Sequence, residues 1–204
     1  MKLYYANLSP YTRKVIATAM ITGLLDKLEI IDLMSTGKYI PTPELKKANP
    51  LGKIPALLLA NGETVVDSPV ICEYLDAKSI KGSIYPKDED AYFFQRKLEA
   101  LADGCTDATL LRRYESVRPP ELQSAEWDAK QKEKMALSFQ YFDSVASRLG
   151  TSEFYIGEIS IVAMIDYADI RFPQENWLST APNLKKWYDL VKVLPLFSET
   201  APKK

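Results

Sequence analysis

The chain has 204 residues, 47% of them apolar and 26% charged, proportions that build a hydrophobic core and exclude a disordered, collagenous or fibrous protein. Lys plus Arg number 26 against 27 Asp plus Glu, a near balance that argues against a basic nucleic-acid surface or a polybasic membrane anchor and leaves small molecules as the expected partners. Histidine is absent and the only cysteines are Cys72 and Cys105, which removes Ser-His-Asp triads, Cys-His dyads and His-Cys zinc sites, so no metal is expected.

The amino-terminal run Met1-Lys2-Leu3-Tyr4-Tyr5-Ala6-Asn7 lacks the apolar stretch of a secretory signal, and no window approaches the ~20 apolar residues of a membrane span. A cytoplasmic protein with reduced thiols is the expectation. Leu3 to Ala6 predicts a strand, and Ser9-Pro10 predicts a helix from Tyr11 to about Leu25. A serine hydroxyl at the N-cap accepts from a free amide, and proline at the first helical position has no amide to leave unpaired. Leu28 to Leu33 reads as a second strand and Pro43 to Ala48 as a short helix. Ile54 to Ala60 and Glu63 to Val66 flank Asn61-Gly62, the strongest short hairpin signal because both turn positions tolerate positive φ. Ser68-Pro69 repeats the start signal and opens a helix to about Ala77, with Ser68 as its cap. Residues 79–87, Ser79 to Lys87, read as a linker between a 1–78 domain of order βαβαββα and an all-helical 88–204 domain. The second domain is expected to hold helices at 88–115 and 122–149, the latter carrying Met135, Phe139 and Phe142 on one face, then Ser160 to about Ile170 and Pro182 to Val193.

Three motifs carry a resemblance. They are Ser9-Pro10-Tyr11-Thr12-Arg13-Lys14-Val15 after the first strand, Asn49-Pro50-Leu51-Gly52-Lys53-Ile54-Pro55, and Asp67-Ser68-Pro69 before Cys72-Glu73-Tyr74-Leu75. Together they resemble the cytosolic glutathione transferases over essentially the whole chain. Leu110-Leu111-Arg112-Arg113-Tyr114-Glu115 with Arg118-Pro119-Pro120-Glu121-Leu122 is similar to a bacterial branch of that family. The resemblance implies an α/β thioredoxin-like N-terminal domain followed by an all-α one, glutathione as co-substrate, a role in detoxification, and two subunits pairing as a homodimer.

It also implies roles for named residues. Ser9 stands where the family places a thiol-activating hydroxyl; an isolated Ser-Pro would be read as a cap alone, and the companion motifs reverse that preference. Tyr4, Tyr5 and Thr12 are competing hydroxyls, and at most one of the two adjacent strand tyrosines can face the site. Ile54-Pro55 resembles the cis-proline element whose preceding backbone pairs with the cysteinyl part of glutathione, and Lys53 could meet a ligand carboxylate. Ser68 would hold the γ-glutamyl carboxylate at a helix N-terminus and Asp67 would balance the ligand's ammonium. Tyr11, Leu110, Arg113 and Tyr114 are the candidates for the electrophile side. Cys72 and Cys105 read as small buried apolar residues, and no Cys-x-x-Cys pair is present. Ser160-Ile161-Val162-Ala163 departs from the family's Ser/Thr-x-x-Asp box by keeping the cap and losing the acid.

The leading expectation is therefore an enzyme that ionises glutathione with Ser9 and adds its sulfur to a small electrophile. The alternatives are a glutathione-dependent disulfide or peroxide reductase and a non-catalytic binding protein of the same fold.

Overall fold

Strand β1 (Lys2–Tyr5) runs parallel to β2 (Glu29–Asp32) and antiparallel to β3 (Ala56–Leu58), which pairs antiparallel with β4 (Thr64–Val65). The computed structural model describes residues 1–33 and 41–202. The sheet order is β2-β1-β3-β4. Between the strands come α1 (Pro10–Thr22) and α2 (Pro43–Ala48), and α3 (Ser68–Ala77) follows β4. The helical half contains α4 (Glu89–Ser116), α5 (Ala125–Val145), α6 (Ile156–Arg171), α7 (Pro182–Val191) and the single turn α8 (Pro195–Ser198). This is the expected thioredoxin-like α/β unit followed by helices.

Local chemistry explains most of the boundaries. Ser9 Oγ accepts from the Thr12 amide at 3.3 Å and Pro10 opens α1. The helix stops at Gly23, whose φ of 73° is left-handed, with the Leu24 amide donating back to Ala19 at 2.8 Å. Thr42, Asp88 and Ser124 cap α2, α4 and α5 through their side-chain oxygens. Both faces of the sheet are covered. Leu3 and Leu57 join the main core with Val15, Ile71 and Leu75, whereas Tyr4 and Ala56 pack with Leu45 and Ala48 of α2 in a second cluster. Helix α1 lies between α3 and α6, which is why even Thr12, Arg13, Lys14, Thr18 and Thr22 are buried along it.

Three expectations are corrected. The hairpin strands are shorter than the apolar runs, because Gly62 at φ 87° turns the chain and the Leu59 and Glu63 backbones already close the loop at 2.8 Å. Ser68 is not the cap of α3: Asp67 occupies that position and Ser68 is the first helical residue. Helix α6 starts at Ile156 rather than Ser160. Glu158 accepts from the Tyr155 amide at 3.0 Å, the Gly150 amide at 3.1 Å and Gln95 Nε2 at 2.9 Å, so it supplies the acid at the helix start that position 163 lacks. Ser160 sits inside the helix, buried, with its hydroxyl unpartnered among the described residues. The start is pressed onto α4, since the Gly157 amide donates to Gln95 Oε1 at 2.9 Å and a Cβ at Gly157 would lie 2.8 Å from Leu98 Cβ.

The segment joining the halves is pinned rather than loose. The Ile80 amide donates to Thr22 at 3.0 Å, Ile84 is fully buried with its amide on Asp76 at 2.8 Å, and the Ile156 amide donates to the Ile84 carbonyl at 3.0 Å.

Candidate functional site

The pairing directions bring the three motifs to one end of the sheet. β1 ends at Tyr5 and leads into Ser9; β3 runs the opposite way, so Ile54-Pro55 enters it at that same end; β4 reverses again and delivers Asp67-Ser68 there. Residues far apart in the chain thus share one edge because strand order and direction leave no other arrangement.

Ser9 has extended backbone at the start of α1, and its carbonyl already accepts the Arg13 amide at 3.1 Å. With Oγ accepting from Thr12 N–H, the serine's own proton is free to be donated outward. The competing hydroxyls are placed differently. Thr12 is fully buried and its Oγ1 lies 2.9 Å from the Ala6 carbonyl and 3.0 Å from that of Ser9, so its single proton is committed to the backbone. Tyr4 is buried in the α2 cluster. Tyr5 points the other way, toward Asn7 Oδ1 at 3.4 Å, and burial followed by the Asp32 charge pushes its phenol above the ordinary tyrosine range.

The loop before β3 is held by Asn49, a residue to which the motif reading assigned no role. Its Nδ2 donates to the Lys53 carbonyl at 2.8 Å, its Oδ1 accepts the Leu51 amide at 3.0 Å, and its carbonyl accepts the Gly52 amide at 2.8 Å. Gly52 has φ 62°, a left-handed conformation that favours glycine. The Ile54–Pro55 peptide is cis, Pro55 is buried and Lys53 is exposed. The Val66–Asp67 peptide is also cis, which no sequence signal announced. Asp67 is exposed and makes no capping bond; the hydroxyl of buried Ser68 has no hydrogen-bond partner among the described residues. The first amides of α3 therefore remain available for an acceptor.

Tyr11, two residues beyond Ser9, donates its hydroxyl proton to Asp107 of α4, and burial together with that carboxylate pushes its phenol far up. Leu110 and Arg113 are half-buried and Tyr114 exposed toward the C-terminal end of α4. The structure adds Tyr167 of α6, which feels the charges of Arg171, Arg113 and Tyr114 and is itself felt at Tyr11. Leu110, Arg113 and Tyr114 all stand on α4, the helix whose Asp107 accepts from Tyr11. Neither Asp107 nor Tyr167 had a recognisable motif; the signal was the spacing of Asp103 and Asp107 one turn apart on α4.

Two neighbouring cations of α1 fasten this helix to the helical half. Arg13 pairs with Asp166 and donates Nη2 to the Phe197 carbonyl at 3.0 Å. Lys14 Nζ, almost fully buried, meets Glu99 at 3.0 Å and Asp103 at 2.6 Å. Burial alone would lower the Lys14 ammonium, but Asp103 and Glu99 outweigh it and hold it above the ordinary lysine range. Asp103 is raised because burial outweighs Lys14. Cys72 and Cys105 are free and buried, and burial pushes each thiol up to about 12.

A cavity of about 450 Å³ lies elsewhere, between Phe94 and Gln95 of α4 and the Arg148–Tyr155 stretch, and none of the three motifs lines it. The geometric convergence at the sheet end is the better guide to chemistry than cavity size. Among the described residues no group of three or more His, Cys, Asp or Glu side chains could hold a metal, and no helix is long and apolar enough to cross a membrane.

Residues 8–78 match the family described as Glutathione S-transferase, N-terminal domain. Across 100% of both chains the sequence is 31% identical to the uncharacterized GST-like protein YibF of Escherichia coli (strain K12). The crystal structure of a glutathione transferase family member from Pseudomonas fluorescens Pf-5 with bound glutathione superposes with a TM-score of 0.91 at 34% identity, covering 100% of this chain and 99% of that one. A crystal structure of a family member from the same organism with bound S-(propanoic acid)-glutathione gives 0.88 at 33% identity, with both chains covered completely.

Proposed function

The chain belongs to the glutathione S-transferase family, and from that premise we propose that it conjugates glutathione to a small electrophile, with Ser9 as the group that activates the thiol. The observation that carries this reading is the free hydroxyl proton of Ser9 at the start of α1, on the same sheet end as cis Ile54–Pro55 and the uncapped start of α3. The glutathione and S-(propanoic acid)-glutathione bound in the two Pseudomonas fluorescens relatives support it.

In this reading the backbone of Ile54 pairs with the cysteinyl part of glutathione as an added strand would. The γ-glutamyl carboxylate lies against Ser68 and the α3 amides, where helix dipole and unpaired donors favour an anion. Asp67 balances the ammonium and Lys53 the other carboxylate. The thiol loses its proton to solvent, and Ser9 Oγ–H donates to the thiolate. The sulfur lone pair then forms a C–S bond at the electrophilic carbon, and where that carbon bears a leaving group the group departs with its bonding electrons.

The energies suffice without histidine. Lowering a thiol pKa from ~8.5 by two units requires about 2.7 kcal/mol. One hydrogen bond to a charged group contributes roughly 1.5–3 kcal/mol and a helix N-terminus up to about 2. Residence in the cytoplasm, a detoxifying role and pairing of two subunits belong to the same proposal; gel filtration reads the last directly.

The experiment is Ser9→Ala. We expect the pKa of bound glutathione to rise by about one to two units and the conjugation rate with an activated aryl halide to fall roughly 10- to 100-fold, with glutathione still bound. An unchanged pKa and rate would remove Ser9 from the mechanism. Calorimetry showing no glutathione binding by the unaltered protein would instead favour a non-catalytic role.

A further inference from the structure

Resting on the assignment of Ser9, we propose that Arg13 is a positioning residue for thiol activation, through which the carboxyl-terminal turn α8 and Thr200 fix the direction of the serine hydroxyl. The serine's backbone is held on both sides. Its amide donates to the Ala6 carbonyl at 2.9 Å, and its own carbonyl accepts the Arg13 amide at 3.1 Å and the Thr12 hydroxyl at 3.0 Å. Its Oγ accepts the Thr12 amide at 3.3 Å, and Pro10 has no amide to add. The first turn of α1 therefore aims Ser9 Oγ, and whatever fixes that turn fixes the hydroxyl.

Arg13 fixes it from the helical half. Its Nη1 donates to Asp166 of α6, its Nη2 to the Phe197 carbonyl at 3.0 Å, and its Nε to Thr200 Oγ1 at 3.3 Å. Each partner is held in turn. Asp166 also accepts from Tyr188 of α7, Thr200 Oγ1 donates to the Leu196 carbonyl at 2.8 Å, and the buried Phe197 ring packs edge-on against Phe154 with 4.8 Å between centres. The Arg13 side chain is 5% exposed, so it acts through its helix and not on a ligand.

A buried ion pair is commonly no more stabilising than apolar residues of the same volume, so stability alone does not account for a guanidinium here. A planar fork supplies direction as well as charge, and this one sets acceptors from α6 and from the carboxyl-terminal turn against α1 in a single arrangement. Direction counts at the reacting group, since a misplacement of ~1 Å can cost about 100-fold in rate.

The test uses Arg13→Lys, which keeps the charge and loses the fork, and Thr200→Val, which removes one acceptor at the same shape. Each is made alone and together with Ser9→Ala. We expect Arg13→Lys to raise the pKa of the bound glutathione thiol, read from thiolate absorbance, by about 0.5–1 unit, and Thr200→Val to raise it by about half as much. Conjugation of an activated aryl halide by Arg13→Lys should fall about three- to eightfold at about pH 6 and less than about twofold at about pH 9, where the thiol is ionised in both proteins. The affinity for S-methylglutathione, which has no thiol to ionise, should stay within about twofold by calorimetry. In the Ser9→Ala protein neither substitution should move the thiol pKa further, because the group they aim is gone. An unchanged thiol pKa in both single variants, a rate loss matched by an equal loss of S-methylglutathione affinity, or the same pKa shift with and without Ser9 overturns the proposal. Should Arg13→Lys fail to fold, Thr200→Val decides by the same readings. If Ser9→Ala by itself leaves the thiol pKa unchanged, the assignment of Ser9 falls and this inference with it.

Discussion

Replacing Lys14 by Met removes the cation between two carboxylates of α4. Side-chain exposure is 1% for Lys14, 3% for Glu99 and 23% for Asp103. Breaking a buried pair on one side costs roughly 3–5 kcal/mol. Glu99 keeps Arg96 at 2.8 Å and Asp103 retains some water, which places the expected loss at the low end, about 3 kcal/mol. For a chain of this size that lowers the melting temperature by roughly 6–12 °C. The loss should depend on pH. Asp103 already sits above the ordinary carboxylate range because burial outweighs Lys14, and without the cation it rises further. The folded variant then binds more protons than the unfolded chain between the unfolded aspartate value, ~3.9, and the raised folded one, so its stability increases as pH falls through that window. Thermal and urea melts of both proteins at about pH 5 and about pH 7.5 read this directly, and Asp103→Asn added to Lys14→Met should restore part of the loss. A deficit below about 1 kcal/mol, or one that is the same at both pH values and untouched by the second substitution, refutes the argument.

Gly157→Ala should cost about 1–3 kcal/mol by overpacking, since the new Cβ would lie 2.4 Å from Gln95 Oε1. Gly104→Ala, with nothing within 4 Å of the added methyl, should stabilise α4 by about 0.5–1 kcal/mol; equal shifts in the two melts would contradict the packing reading. Cys72 and Cys105, buried with thiols near 12, should react with a thiol reagent at about pH 8 only as fast as the chain opens, so prompt labelling of the native protein would be the contrary result. Asn49→Ala strands the Lys53 carbonyl and the Leu51 amide; it should lower stability by about 1–3 kcal/mol and weaken glutathione binding about fivefold by calorimetry. An unchanged affinity would separate that loop from the ligand.

What could be read from the chain alone was what short-range chemistry decides. The Ser9 cap and the Asn61-Gly62 turn each depend on neighbours within a few residues. The start of α6 was misplaced because Glu158 draws on Gln95, 63 residues away, as well as on its own turn. Lys14 carries no mark in sequence that separates it from a solvated lysine, since its partner Glu99 stands 85 positions on. Ser68 was read one position out because the cap of α3 is set by a backbone bend at Asp67, not by side-chain preference. The gathering of the motifs follows from strand direction, which the βαβαββα order implies, whereas the place of Tyr167 depends on the packing of α6 on α1 and α4.

The fastening of α1 has a consequence for exchanging parts between relatives. The helix that begins with Ser9 belongs by sequence to the sheet, yet Arg13 and Lys14 find their counter-charges on α4 and α6. A chimaera joining this sheet unit to another protein's helices would bury two cations opposite whatever stands at positions 99, 103 and 166. The first half is therefore transferable only with those three acids, and a hybrid lacking them would shift the helix that orients the serine even with every glutathione-facing residue in place.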